Sequence, residues 1–283
     1  MPEEIMEYDS RRGEYVVSRQ ARPFPRAQVV LFLLTLVSTT VVGGLAYAVS
    51  LLAILLAHEM GHYLTARVHG IPATLPYFLP MPFTIFGTFG AVIRMDGRTA
   101  TRKELFDVGV AGPLAGTLVA IPVSLYGIRL SSVVEGTGME GMLALGDSVL
   151  FTGLGRLIHG PLPEGSTLLL HPIAFAGWVG LFVTALNLLP IGQLDGGHVL
   201  YGLLGRAAAP ISFAVFLSFG LLALFVSPGW LLLVFLLLYF GYRHPPTLEE
   251  DVGLDGKRKW IGFLTLALFL LAFTPVPISY GVP

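Results

Sequence analysis

Long stretches of this chain carry no charge, and their lengths suit lipid better than a soluble core. From Ala27 to Ala57 there is no Asp, Glu, Lys or Arg, and the apolar character continues to about Ala66. A helix needs about 20 apolar residues to span a bilayer, so this run is too long for one crossing. Val42-Gly43-Gly44 is its natural break, giving crossings near 27–43 and 45–67. The uncharged interval between Asp107 and Arg129 predicts one more, and the run from Glu164 to Asp195, densest between Ile173 and Pro190, predicts another. Nothing is charged between Arg206 and Arg243, and Ser227-Pro228-Gly229 divides that run into a helical hairpin. A last run begins at Trp260. The pattern predicts an all-α polytopic membrane protein of about six to seven transmembrane helices.

Two connections are more than turns. Residues 68–105 hold Pro72, Pro76, Pro80 and Pro82, then a β-rich run from Thr84 to Met95 with Gly87 and Gly90. That run predicts one or two strands at the cytoplasmic membrane face, a small membrane-associated β element between the second and third crossings. The 130–170 segment predicts an amphipathic helix, Met142 to Ile158, lying on the opposite surface. Residues 1–26 are polar, lack the apolar stretch of a secretory signal and read as a cytosolic arm. Residues 27–283 then form one membrane-embedded domain.

Composition agrees with this pattern. The chain is 54% hydrophobic and 12% charged, about half the charged fraction of a soluble domain. A net charge of −1 gives no reason to expect a nucleic-acid partner. With no cysteine, a metal can be held only by histidine and carboxylate. Basic residues fix an orientation, since Lys and Arg gather on cytoplasmic loops. With the N-terminus inside, only Arg129 and Arg156 of the 17 basic residues fall outside.

The chemistry begins at His58-Glu59-Met60-Gly61-His62. Histidines four apart on a helix lie one turn above each other, where both imidazoles can reach one zinc. Glu59, beside the first ligand, is placed as a general base toward metal-activated water. In a soluble helix such a pentapeptide could arise by chance. Here it closes a span uncharged since Arg26, and ionisable groups at membrane depth cost a few kcal/mol each unless partnered. A catalytic zinc needs a third protein ligand. Asp195 stands out, ending a long uncharged run in Asn187-Leu-Leu-Pro190-Ile-Gly-Gln-Leu194-Asp195-Gly196-Gly197-His198. Pro190 breaks the helix and Gly192, Gly196 and Gly197 free the backbone beyond it. A loop Asp-Gly turn is the plainer reading of the same residues.

Together the two segments resemble the site-2 protease family of intramembrane zinc metalloproteases. The likeness rests on His58-Glu59-x-x-His62 and on Asn187-x-x-Pro190-x-x-x-Leu194-Asp195-Gly196, on separate helices and in that order. Gly87-Thr-Phe-Gly90 and the stretch from Leu105-Phe-Asp107 to Ala111-Gly112-Pro113-Leu-Ala-Gly116 look like its bacterial and plastid branch. The resemblance covers about residues 45–200, the expected catalytic core. It implies one zinc per chain, held by His58, His62 and Asp195, with Glu59 as the base. It also implies that Asn187 lies near the metal, orienting substrate or stabilising an oxyanion; an interhelical hydrogen bond is the structural alternative. Many relatives carry a PDZ domain, for which 130–170 is too short.

The substrates implied are membrane-spanning proteins, cut in or near the bilayer on its cytoplasmic side, as in regulated intramembrane proteolysis. A metal- or cation-coupled transporter is the alternative, since broken helices with ion sites also serve transport. His198 reads as a helix-start residue facing water, His69 as a loop residue, and His159, His171 and His244 as interfacial. Gly109, Gly112 and Gly116 read as a small-residue stripe for helix packing.

Overall fold

A computed structural model of the chain describes residues 3–9, 14–20, 24–95, 100–135, 143–241, 244, 247–248 and 252–280. The N-terminal arm contains two strands, β1 (Glu3–Asp9) and β2 (Glu14–Gln20), paired antiparallel.

The long apolar run folds as α1 (Arg26–Val68), interrupted at Gly44, where φ is 80° and ψ 170°. That conformation is readily open only to glycine. The halves flanking Gly44 converge on one turn of the next segment. Ser38 donates from Oγ to the Gly87 carbonyl at 2.6 Å, and Tyr47 donates from its hydroxyl to the Phe86 carbonyl at 2.9 Å. On a straight helix residues 38 and 47 would stand about 13 Å apart, so the break is what lets them meet neighbouring residues.

That turn is the tip of a hairpin, β3 (Tyr77–Pro80) and β4 (Thr88–Val92), paired antiparallel. The structure corrects the sequence reading twice here. The first strand lies in the Pro-rich part, where Pro80 takes the strand's last position and Pro76 precedes it. The hairpin also does not stay at the surface end of α1. It starts beside Ala66, where Ile71 N–H bonds the Ala66 carbonyl, and runs along the helix to Tyr47 near the break. Non-helical backbone is tolerated at such depth when protein satisfies it, as Ser38 and Tyr47 do.

Helix α2 (Arg102–Arg129) starts at a capping box in which Thr101 Oγ1 accepts from Glu104 N–H and Glu104 accepts from Thr101 N–H. Beyond it lie β5 (Ser132–Glu135), β6 (Leu143–Leu145), α3 (Val149–His159) and β7 (Ser166–Leu169). Strands β5 and β7 pair with each other, while β6 pairs with β8 (Ile278–Tyr280) at the other end of the sequence. The amphipathic helix is therefore shorter than the sequence suggests. Ser148 caps it at 3.1 Å on Phe151 N–H, residues 143–145 are drawn into a strand, and Met142 lies outside the described residues.

Helices α4 (Pro172–Asn187), α5 (Asp195–Leu204), α6 (Ala208–Phe225), α7 (Leu231–Phe240) and α8 (Gly256–Ala272) complete the bundle. Among the described residues, three stretches are long and apolar enough to cross a bilayer: Arg26–Val68, Arg102–Arg129 and Asp195–Phe225, the last spanning α5 and α6. Pro172–Asn187 and Pro228–Tyr239 are apolar but shorter. The fold is thus mostly helical, with four two-stranded sheets among the described residues where the sequence suggested a single β element.

The core lies between α1, α2 and α4. Toward the Gly44 end it is aromatic: Tyr47 stacks on Phe175 at 5.1 Å and Trp178 on Phe182 at 5.3 Å, with Trp230 beside them. At the opposite end the termini of three helices are tied by charge. Arg258 of α8 grips Asp107 of α2 through Nε and Nη2, each at 2.7 Å, and His69, capping α1, reaches Asp107 at 3.1 Å.

Candidate metal centre

The helical repeat of α1 puts His58, Glu59 and His62 on its buried side, at 3%, 5% and 7% exposure. Their partner comes from the break after α4. That helix stops at Asn187, three residues before Pro190, and Asp195 opens α5 with its carboxylate in the first turn, where the helix dipole favours negative charge. Of Gly192, Gly196 and Gly197 only Gly192 has positive φ. Gly196 and Gly197 are helical and instead let α5 approach the backbone at Leu188 and Gly192.

Asp195 Oδ2 lies 3.2 Å from His58 Nε2 and 3.2 Å from His62 Nε2. All three ligand atoms fall within 4.8 Å of one another. Donors bound to one tetrahedral zinc at about 2.0–2.2 Å stand roughly 3.4 Å apart, so both Asp195 contacts are close to the spacing such an ion requires. The ring of His62 is set for this role. Its Nδ1 lies 2.9 Å from the Val108 carbonyl, and donation there leaves Nε2 as the lone-pair nitrogen facing Asp195. Asn187 Nδ2 stands 3.2 Å from His58 Nε2, so the side chain lies beside the trio while also bridging α4 to α1.

Helix α2 forms the wall behind the ligands. A Cβ built on Gly112 would clash with the Nε2 edge of the His62 ring, and one on Gly116 would come 3.0 Å from His58 Nδ1. The stripe of small residues seen in the sequence is indeed a packing surface, and what packs on it is the pair of candidate ligands.

His62 and Asp195 line a cavity of about 880 Å³ together with Glu59, Asn187 and the β4 residues Ala91 and Val92. The Ile93 backbone N–H, just past β4, lies near the Glu59 carboxylate. Two further lining residues correct the sequence reading. His198 does not face open water: its Nδ1 lies 2.7 Å from His244 Nε2, and both line the cavity. His244 in turn stacks on Tyr201 at 4.1 Å. His198 follows Asp195 by one helical turn, a spacing visible in the sequence; His244 is 46 residues further on, and no local signal marks it.

The sequence model of peptidase family M50 matches residues 46–227. The chain is 34% identical over 244 residues to "Probable zinc metalloprotease EGY2, chloroplastic" of Arabidopsis thaliana, covering 84% of this chain and 43% of that protein. It is 34% identical over 249 residues to "Probable zinc metalloprotease EGY1, chloroplastic" of rice, Oryza sativa subsp. japonica, covering 83% of this chain and 41% of that one. This chain therefore spans less than half the length of these relatives.

Proposed function

We propose, from the premise that this chain belongs to peptidase family M50, that it is a zinc metalloendopeptidase cutting membrane-spanning proteins within or beside the bilayer. The observation that carries this reading is the convergence of His58, His62 and Asp195 beside Glu59, inside an apolar helical bundle. Family and relatives' names both favour proteolysis over the transport alternative.

His58, His62 and Asp195 hold the zinc. When bound, zinc supplies a Lewis acid that polarises the scissile carbonyl and acidifies water. Glu59 takes a proton from the attacking water as its oxygen bonds the carbonyl carbon, then delivers that proton to the amine nitrogen as the C–N bond breaks. Asn187, beside His58, orients the substrate carbonyl. A transmembrane helix has its amides internally bonded, so the segment to be cut must unwind. The unwound stretch adds as a strand to β4, whose residues line the same cavity. Ile93 N–H, near Glu59, places the end of that strand beside the base.

The reaction side is cytoplasmic. The ion pairs of His69, Asp107 and Arg258 bring together the two Lys- and Arg-bearing connections that the charge bias puts inside. The substrate class is membrane-spanning proteins, as in regulated intramembrane proteolysis.

The test is zinc content and cleavage of a model transmembrane substrate by wild type, Glu59→Gln and Ile93→Pro in detergent. Zinc should be retained in all three. Cleavage should fall about 1000-fold in Glu59→Gln, a general base being worth 10²–10⁴, and clearly in Ile93→Pro. Absence of zinc from folded wild type would sink the reading; wild-type cleavage by Ile93→Pro would sink strand addition alone.

A further inference from the structure

Two residues between α7 and α8, His244 and Thr247, line the catalytic cavity together with Glu59 and Asp195, and nothing in the family chemistry above uses them. The described residues here are held at two points. At one, His244 lies against Tyr201 and His198 on α5. At the other, Leu248 N–H donates to the Ala100 carbonyl at 3.1 Å, and Leu248 forms a bridge with Thr101 at the start of α2. His244, Thr247 and Leu248 are thus held to both sides of the cavity, and the first two form part of its wall.

The contact at His198 is specific in its atoms. Between two imidazole nitrogens 2.7 Å apart, one must carry a proton and the other a lone pair, so each ring constrains the tautomer of its partner. Between this latch and the Leu248 anchor sits Thr247, whose hydroxyl is buried and has no hydrogen-bond partner among the described residues. Buried hydroxyls are ordinarily satisfied, and this one borders a space that an unwound peptide must occupy. Strand β4 stands along the same cavity.

We propose that His244 and Thr247 form a peptide-binding wall of the active site, with Thr247 contacting the backbone of the unwound substrate and His244 a positioning residue that holds that wall through His198. This rests on the proteolytic reading. It adds a second substrate-contacting element, 46 residues beyond His198 and on a part of the chain that follows the family match at residue 227.

The test uses the full chain in detergent, with a dye-labelled synthetic helix of about 25 apolar residues interrupted by Asn-Pro as probe. KM and kcat are measured alongside zinc content, and probe affinity is measured in the Glu59→Gln background. His244→Ala and Thr247→Val should each raise KM, and probe Kd with it, roughly tenfold, the size set by one hydrogen bond, at unchanged zinc content and nearly unchanged kcat. His244→Gln, whose amide nitrogen stands where Nε2 stands, should recover most of the affinity, and His244→Asn, one atom shorter, should not. A purely structural role for the pair would not follow this atom-by-atom pattern. Unchanged KM and Kd in both His244→Ala and Thr247→Val would overturn the proposal, as would zinc loss in His244→Ala with KM intact. Wild type that binds zinc but neither cleaves nor holds the probe would instead overturn the proteolytic reading itself.

Discussion

Helices α2 and α7 are both apolar, and they do opposite work. Over its most apolar stretch half of α2 is buried, and it is built of Gly109, Gly112, Gly116, Thr117, Ala120 and Ser124 along the buried side. Helix α7 reads Leu-Leu-Leu-Val-Phe-Leu-Leu-Leu-Tyr-Phe and leaves Leu232, Phe235 and Leu238 more than half exposed. By apolar content α7 is the better membrane helix, yet α2 is the one that touches the metal centre. Lipid tails are as apolar as leucine, so large apolar side chains gain little by facing protein rather than bilayer. Small residues gain a great deal, because they admit the backbone to close range. Between these two helices, the large apolar side chains of α7 mostly face outward, and the glycines of α2 face the candidate ligands.

That contrast can be broken at α2 first. Gly112→Val should displace the His62 ring and lower zinc affinity about 100-fold, as seen when groups orienting a ligand are lost, with cleavage falling in step. Competition with a graded chelator measures it. Zinc affinity held at the wild-type value would mean that α2 can retreat from α1 and that the wall is soft.

A middle-sized effect should come from the ends of the helices. Asp107→Asn weakens the bonds to Arg258 and His69 and should cost about 1–3 kcal/mol, read as a lower unfolding temperature in detergent. Arg258 is only a third exposed, which is why the loss should exceed that of an ordinary surface pair. The smallest effect belongs to α7, where Phe235→Ala should change stability by no more than about 0.5 kcal/mol. A large loss there would show that this face packs against another protein surface and not lipid, and the comparison with α2 would fail.

Much of the site could be read from the residues alone because its parts are local. His58, Glu59 and His62 fall on one face by helical spacing, and the break at Gly44 and the end of α4 before Pro190 are written in backbone chemistry. Pairings between distant segments were not legible. Nothing near Tyr77 says that a proline-rich strand will pair with Thr88–Val92, and nothing near Leu143 says that it will find Tyr280. The depth of the β3–β4 hairpin was missed for the same reason, since the groups that satisfy its tip, Ser38 and Tyr47, look like ordinary helix residues in α1. His244 was taken for an interfacial residue because its partner on α5 lies in a different apolar run.

Gly44 shows how narrow a requirement can be. No atom lies within 4 Å of the place where a side chain would begin, so there is room for one of almost any size. What forbids it is the sense of the torsion, φ +80°. The position is therefore selected by handedness and not by volume. A D-alanine installed there by chemical ligation would find its own favoured extended conformation, whereas L-alanine, its mirror image and identical in bulk, would work against the fold-back of the chain.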